Sequence, residues 1–319
     1  MIFLKPGILT SIQDIGRQGF QDKGVNPSGA MDTLSMRLLN ILLGNKEEEA
    51  VVEFHNPSPT VRFEEYALFA IGGGNFNPAL NNKAISPWKI QQAKPGDMLS
   101  FGKKEKGERG YIAVKGGFQI EDVLGSQSTN LKAGFGGLKI DKGSTLSLNL
   151  KNGQLYSASE KVKETPKTVN VKMRPPFELK QEIRVIAGKD LSCLDQASRD
   201  SVFSQCFIIT THADRMGYRL EGDRLNLKDG GEVISSSVAF GTIQLLPDGQ
   251  VIILMADHQT SGGYPKVANV ISVDLPLLAQ LSVGQHITFR EISTEVAESV
   301  FEKQEREINK FKSAVNLYS

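Results

Sequence analysis

The stretch 240-FGTIQLLPDGQVIILMADHQTSGGYPKVANVISVD-274 decides how the chain is read. Two strand-like runs, Gly241–Leu246 and Gln250–Met255, flank Pro247-Asp248-Gly249, a strong hairpin signal. The second run delivers Asp257, His258, Gln259, Thr260 and Ser261 onto a Gly262-Gly263-Tyr264-Pro265 turn. Polar side chains directly after a buried strand are how a rigid scaffold presents a binding loop. The same residues also suit a plain turn whose Asp and Thr satisfy their own backbone. Both readings stand at this point.

Outward from that hairpin the chain reads mainly as short strands. Phe63–Ile71, Met98–Phe101, Tyr111–Val114, Thr145–Leu150, Ile183–Ile186, Cys206–Thr211 and His286–Phe289 are apolar or alternating runs bounded by Gly, Pro, Asp or Lys. Punctuated by 31 glycines and 13 prolines, they form a β-barrel or sandwich pattern rather than alternating βα units. Helices are few. Met31–Leu43 sets Met31, Leu34, Leu38, Leu39 and Leu42 on one stripe ended by Gly44-Asn45, and Leu191–Phe203 is a weaker candidate. The charged segment from Thr294 to Ala314 has a discontinuous apolar face and reads as a solvated or partner-docking helix.

The 319 residues suffice for two domains of ordinary size. A 39% hydrophobic, 23% charged composition is that of a soluble globular protein. With 37 basic and 36 acidic residues the net charge is +1, which argues against a nucleic-acid surface. No apolar run approaches the length of a membrane span, and MIFLKPGILTSIQD reads as a first strand rather than a signal peptide. Two cysteines, Cys193 and Cys206, offer neither a disulfide framework nor metal spacing and read as core positions. A cytoplasmic location is the expectation.

The sequence repeats itself. Arg17-Gln18-Gly19-Phe20 followed by Gly24 matches Arg215-Met216-Gly217-Tyr218 followed by Gly222, with Asp14 and Asp214 just ahead. Pro95–Phe101 similarly resembles Val283–Phe289, a turn into a closing strand. Duplication predicts two β-barrel-like halves, residues 1–160 and 177–292. A linker at 161–176, within the polar stretch Lys151–Pro176, joins them, and a helical tail at 293–319 follows.

In the first half, Gln13, Asp14, Arg17, Ser28 and Asp32 lie among Gly16, Gly19, Gly24 and Gly29, where the backbone can approach a ligand. Arg17 suits a carboxylate or phosphate clamp, and Asp14 or Asp32 a proton acceptor. The competing reading makes Asp14–Arg17 a structural ion pair and Asp32 a helix N-cap, which for Asp32 is preferred. Arg215 repeats the theme with Asp214 as its obvious partner. Four scattered histidines give no metal motif, and no metal site is predicted. The glycine runs Gly72–Gly74 and Gly134–Gly137 lack the Lys-Ser/Thr of a P-loop, and no GxSxG elbow occurs. What remains is a polar site suited to a small carboxylate or amide, without a complete catalytic set.

Five runs together carry a resemblance: QDIGRQGFQDKGVNPSGAMD, LLGNKEEEAVVEF, VKGGFQIEDVLGSQST, DRMGYRLEG and GTIQLLPDGQVIILMADHQTSGGYPKVANVISVDLPLLAQL. From Lys5 to Ile292, in order, the chain resembles the family of 5-oxoprolinase C subunits, also described as KipA-like, allophanate hydrolase subunit 2-like or biotin-dependent carboxyltransferase-like. The resemblance implies a mainly β fold with a few helices, built as two tandem cyclophilin-like β-barrel domains. It implies two partners, the KipI-like B subunit and the LamB/YcsF-like A subunit, and ATP-dependent opening of 5-oxoproline to L-glutamate. A lactam is a poor electrophile, so activation of its carbonyl oxygen is the chemically sensible use of ATP as co-substrate, bound at an interface or wholly on one of the partners. Side-chain chemistry at the motif positions then suggests Asp14 or Asp257 as acid/base, with Arg17 and Arg215 contacting anions. Gln13, Gln244, Gln259, Thr260 and Tyr264 would contact the substrate.

Two positions depart from the family pattern: His258 stands where relatives commonly read Arg, and Ser235-Ser236-Ser237 where many read Ser-Glu-Gly or Ser-Glu-Pro. A carboxyltransferase of the urea carboxylase type is the second expectation. Val171-Lys172-Met173 only faintly resembles a biotin attachment site, the preceding Met being absent, so a biotin route would need a separate carrier. A non-catalytic KipA-like protein that binds a KipI-like partner is the third.

Overall fold

The computed structural model describes residues 1–149, 168–177, 180–228 and 233–317; the first part of the expected linker, 161–167, lies outside them. Two compact units divide the chain. Unit 1 comprises Met1–Arg17, Ser28–Pro175 and Glu305–Ser319, and unit 2 comprises Gln18–Pro27 and Pro176–Gln304. Two segments therefore cross the boundaries expected from the repeat: Gln18–Pro27 belongs to unit 2, and the end of the tail belongs to unit 1. Within the linker's described residues, Val169 is no spacer: it is buried in the core of unit 1 and its N–H bonds Trp88 O at 3.0 Å.

Unit 1 contains β1 (Ile2–Lys5), β2 (Ser11–Gln13), β3 (Val51–Phe54), β4 (Thr60–Arg62), β5 (Ala67–Asn75), β6 (Pro78–Leu80), β7 (Lys83–Ala84), β8 (Gln91–Ala93), β9 (Met98–Phe101) and β10 (Lys106–Val114). They form two five-stranded sheets, ordered β1-β4-β9-β6-β7 and β2-β3-β10-β5-β8. Phe3, Phe54, Phe63, Phe69 and Phe118 fill the core beside these strands. Helix α1 (Thr33–Leu43) packs its Leu38, Leu39 and Leu42 with Ala70, Trp88 and Tyr111. The triple glycine of β5 has a packing reason: a Cβ on Gly72 would sit 3.0 Å from Leu39 and from the Trp88 ring.

Unit 2 contains β11 (Lys180–Ala187), β12 (Phe207–Ala213), β13 (Gly217–Glu221), β14 (Ser236–Ser237), β15 (Thr242–Leu245), β16 (Val251–Leu254), β17 (Ser261–Gly262), β18 (Lys266–Val270) and β19 (His286–Glu291), with α2 (Gln196–Ser204) and α3 (Leu275–Ala279). Seven strands close a barrel in the order β11-β18-β15-β16-β13-β12-β19, while β14 and β17 pair as a separate ribbon. Phe207 and Ile209 of β12, Ile243 of β15, Ile253 of β16 and Phe289 of β19 are buried, supplying apolar core from four of the barrel strands. The β15–β16 hairpin turns at Pro247-Asp248-Gly249, where Gly249 takes φ +82° and donates its N–H to Leu246 O at 3.0 Å.

Helix α4 (Thr294–Leu317) corrects the expectation of a solvated tail. Its Ile308, only 1% exposed, and Val315 join the α1 side of the unit 1 core. Arg37 forks onto Glu305 at 2.6 and 2.7 Å and onto Glu47 at 2.8 and 2.9 Å. The cysteines also differ from expectation. Both are exposed, with Cys206 Sγ 3.5 Å from His286 Nδ1. No described helix is long and apolar enough to cross a membrane.

Candidate functional site

The loop that follows β16 is organised by a buried ion pair. Arg215, 7% exposed, grips Asp257, 4% exposed, through Nε–Oδ2 at 2.8 Å and a second contact to Oδ1 at 3.0 Å. Arg215 thus pairs with Asp257 just past the end of the neighbouring strand β16 rather than with the adjacent Asp214, whose carboxylate closes its own turn on the Met216 and Gly217 N–H groups. The Asp257 N–H bonds Arg215 O at 2.7 Å, and the Asp257 carbonyl accepts from Asn26 Nδ2 at 3.0 Å. Next in the chain, His258 is buried with Nδ1 2.5 Å from Gln259 O. Burial lowers its pKa, which favours the neutral ring with the proton on Nδ1.

Beside this pair lies a second cluster. Gln244 of β15, fully buried, donates from Nε2 to Tyr264 O at 3.2 Å and accepts from Gln259 Nε2 at 3.4 Å. The close approach of β17 requires glycine, since a Cβ on Gly262 would fall 2.7 Å from Gln244 Nε2. Opposite Gln244 in register stands Lys266 of β18, whose Nζ donates to Gly262 O at 3.1 Å. Lys189 reaches the other strand of the ribbon, Ser236 Oγ, at 2.9 Å. Thr260 contributes its carbonyl to Val238 N at 3.2 Å, and the Tyr264 ring is exposed. The structure therefore gathers Gln244, Gln259, Thr260, Tyr264, Arg215 and Asp257 into unit 2, and adds Lys266, Lys189 and Asn26, which no sequence motif singled out.

Unit 1 holds the other predicted residues in a different arrangement. The Asp14 carboxylate accepts from Gly16 N at 2.7 Å, Ser126 Oγ at 2.7 Å, Gln127 N at 2.6 Å and Ser128 Oγ at 2.5 Å. Four donors fix it as the hub of the 126–128 loop. Arg17, buried, donates to Ser128 O at 2.6 Å and to Val123 O at 3.4 Å and lies 4.9 Å from the Phe135 ring centroid, so it anchors the 123–135 segment instead of making the expected contact with Asp14. Gln13 Nε2 bonds Ser11 Oγ at 2.9 Å and Thr129 O at 3.0 Å. Asp32 caps α1, accepting from Ser35 N at 2.8 Å.

Unit 1 also buries a network the sequence did not announce. Glu53 Oε2 accepts from Tyr111 Oη at 2.8 Å and from Met31 N at 2.9 Å, with Arg109 Nε 3.9 Å from Glu53 Oε1. Burial raises the Tyr111 pKa, keeping it a neutral donor, and burial beside Arg109 lowers that of His55. Alternation places Glu53 and Tyr111 as strand residues, but their meeting depends on the β3–β10 pairing.

The two glycine runs have packing roles. Gly72 and Gly73 pair with Tyr111 and Gly110 in the β5–β10 ladder, and a Cβ on Gly136 would fall 2.5 Å from both the Arg17 guanidinium and Ser128 O. A groove of about 730 Å³ runs along Arg224, Asn226, Leu245, Pro247, Gly263 and Tyr264; of the predicted site residues it includes Tyr264, and Gln244 and Gln259 do not line it.

A closed seven-stranded barrel thus frames a buried polar cluster. The family model described as carboxyltransferase domain, subdomain A and B, matches residues 23–291, and the chain belongs to that family. It is 34% identical over 306 residues to the C subunit of 5-oxoprolinase from Haemophilus influenzae, covering 96% of both chains. It is 33% identical to the C subunit of 5-oxoprolinase from Escherichia coli, over 95% of this chain and 94% of that one. Among solved structures, urea amidolyase of K. lactis superposes with a TM-score of 0.88 at 28% identity, covering 97% of this chain and 20% of that much longer one.

Proposed function

We propose that the chain is the C subunit of a 5-oxoprolinase, working in a multi-subunit enzyme that opens 5-oxoproline to L-glutamate at the expense of ATP. One observation carries this reading: the match to the C subunits of two bacteria covers 96% of both chains in one case and 95% and 94% in the other. In the urea amidolyase the equivalent region is one fifth of a longer polypeptide.

The unit 2 cluster suits the lactam end of this reaction. Ring opening breaks an amide C–N bond by addition of water, and a site for it needs an acceptor for the lactam N–H and donors for the carbonyl oxygen. Gln244 and Gln259 provide both kinds of group from one side chain type, already linked to each other. Asp257, held by Arg215, is a fixed negative charge beside them rather than a mobile base. ATP belongs to the assembled enzyme, on the KipI-like B subunit, on the LamB/YcsF-like A subunit, or between subunits.

Reconstitution tests the proposal. The chain mixed with its cognate A and B subunits should release glutamate from 5-oxoproline and ATP, and omission of the chain should abolish release. A second reading, transfer of a carboxyl group to an amide nitrogen, is favoured by the family description and by the urea amidolyase likeness. Carboxylation of urea supported by a biotinylated carrier, with no glutamate release, would select it.

A further inference from the structure

Lys266 begins β18 at 5% exposure, paired with Gln244 across β15 and covered by Gly262 of the β14–β17 ribbon. A buried ammonium is ordinarily matched to a carboxylate. This one offers three donors, and among the described residues its side chain meets one acceptor, Gly262 O at 3.1 Å. The nearby carboxylate, Asp190, is engaged with the Lys266 backbone N–H at 3.0 Å instead. Lys189 adds a second cation, tied to Ser236 Oγ on the same ribbon. Burial is the main cause lowering the Lys266 pKa, Lys189 lowers it further and Asp190 opposes both. Among the described residues Lys189 and Asp190 are thus its charged neighbours, and its register partner Gln244 is already linked to a second amide side chain, Gln259.

We propose that Lys266, with Gln244 and Gly262 around it, is the binding site for a small monocarboxylate. The ligand's carboxylate takes the ammonium hydrogen bond now made to the Gly262 carbonyl. One ammonium with amide neighbours suits a carboxylate better than a phosphate dianion. The proposal rests on the 5-oxoprolinase reading for the identity of its ligand: the carboxylate is that of the lactam acid, and Lys266 is the residue that separates an amino-acid lactam from a bare one.

Calorimetric titration of the full chain with 5-oxoproline, 2-pyrrolidone (the same ring without the carboxylate), acetate and inorganic phosphate tests it. The expected result is 5-oxoproline binding roughly 10- to 100-fold tighter than 2-pyrrolidone, with Lys266→Met removing that difference. Methionine keeps most of the stem and drops a buried charge, so the variant should melt no lower than the parent. Gly262→Ala is the second variant; its Cβ crowds Gln244 and should weaken 5-oxoproline binding with all charges intact. In the reconstituted enzyme Lys266→Met should raise KM more than it lowers kcat. Equal affinity for the two lactams, preference for phosphate, absence of binding, or an unchanged KM in Lys266→Met would each overturn the proposal. Glutamate release with an unchanged KM in that variant would leave the oxoprolinase reading standing without this site. Lys266-dependent acetate binding without any glutamate release would do the reverse.

Discussion

Replacing Asp257 with alanine should be one of the most destabilising single changes in unit 2. Both members of the Arg215–Asp257 pair are more than nine-tenths buried, and two contacts of 2.8 and 3.0 Å join them. Desolvating such a pair offsets much of its attraction, so its net stabilisation is small. Removing one member is different, because the buried guanidinium loses both of its contacts with the Asp257 carboxylate. That costs about 3–5 kcal/mol, or roughly 6–20 °C in the melting of a unit of this size. The assay is urea denaturation followed in the parent, Asp257→Ala, Arg215→Met and the double variant, with the unit 2 transition resolved from that of unit 1. The double variant should recover most of the loss, giving a coupling of about 2–3 kcal/mol. A single variant within about 1 kcal/mol of the parent would refute the reasoning. A double variant that is stable yet inactive in glutamate release would return Asp257 to the chemistry.

Three further outcomes follow from the same geometry. Asp14→Ala strips four donors of their acceptor and should cost about 3 kcal/mol or more, with faster proteolysis of the 126–128 loop as the local readout. Ile308→Ala should cost about 2–4 kcal/mol, whereas a solvated tail would tolerate it within about 0.5 kcal/mol in the same denaturation assay. His55 and His258 have folded-state pKa values below the unfolded value, so the unfolded chain binds more protons in that window. Their contribution is complete above about pH 6.5 and falls away as the pH drops through the folded-state values; denaturation between pH 7.5 and 5.5 should show the loss, and His258→Gln should reduce its slope.

Much of the fold was legible because its signals are local. Pro247-Asp248-Gly249 dictates a hairpin through backbone conformation alone, Asp32 caps α1 three residues ahead of its partner, and period-2 alternation marks the barrel strands. The repeat was informative where it encoded turns: Asp14 and Asp214 each accept an N–H two residues on, and Gly96 and Gly284 take φ +90° and +82° ahead of β9 and β19. Side-chain partnerships were not legible, because they cross the sheet. Arg215 finds Asp257 rather than its neighbour Asp214, and Arg17 finds the Ser128 carbonyl rather than Asp14. Lys266 reads as a polar strand end in PKVANV, and becomes a buried cation only because β17 folds over it. The same holds for α4, whose charged sequence hides an apolar edge completed by Trp88 and α1. Local turn chemistry thus gave the scaffold, while the site's charge balance is a property of long-range pairing.

The most direct test of the proposed function is glutamate release from 5-oxoproline and ATP by the purified chain, alone and with its cognate A and B subunits. Release from the full mixture, and none when the chain is withheld, is the predicted result. A correctly assembled mixture that releases no glutamate, or releases it equally without the chain, would contradict it.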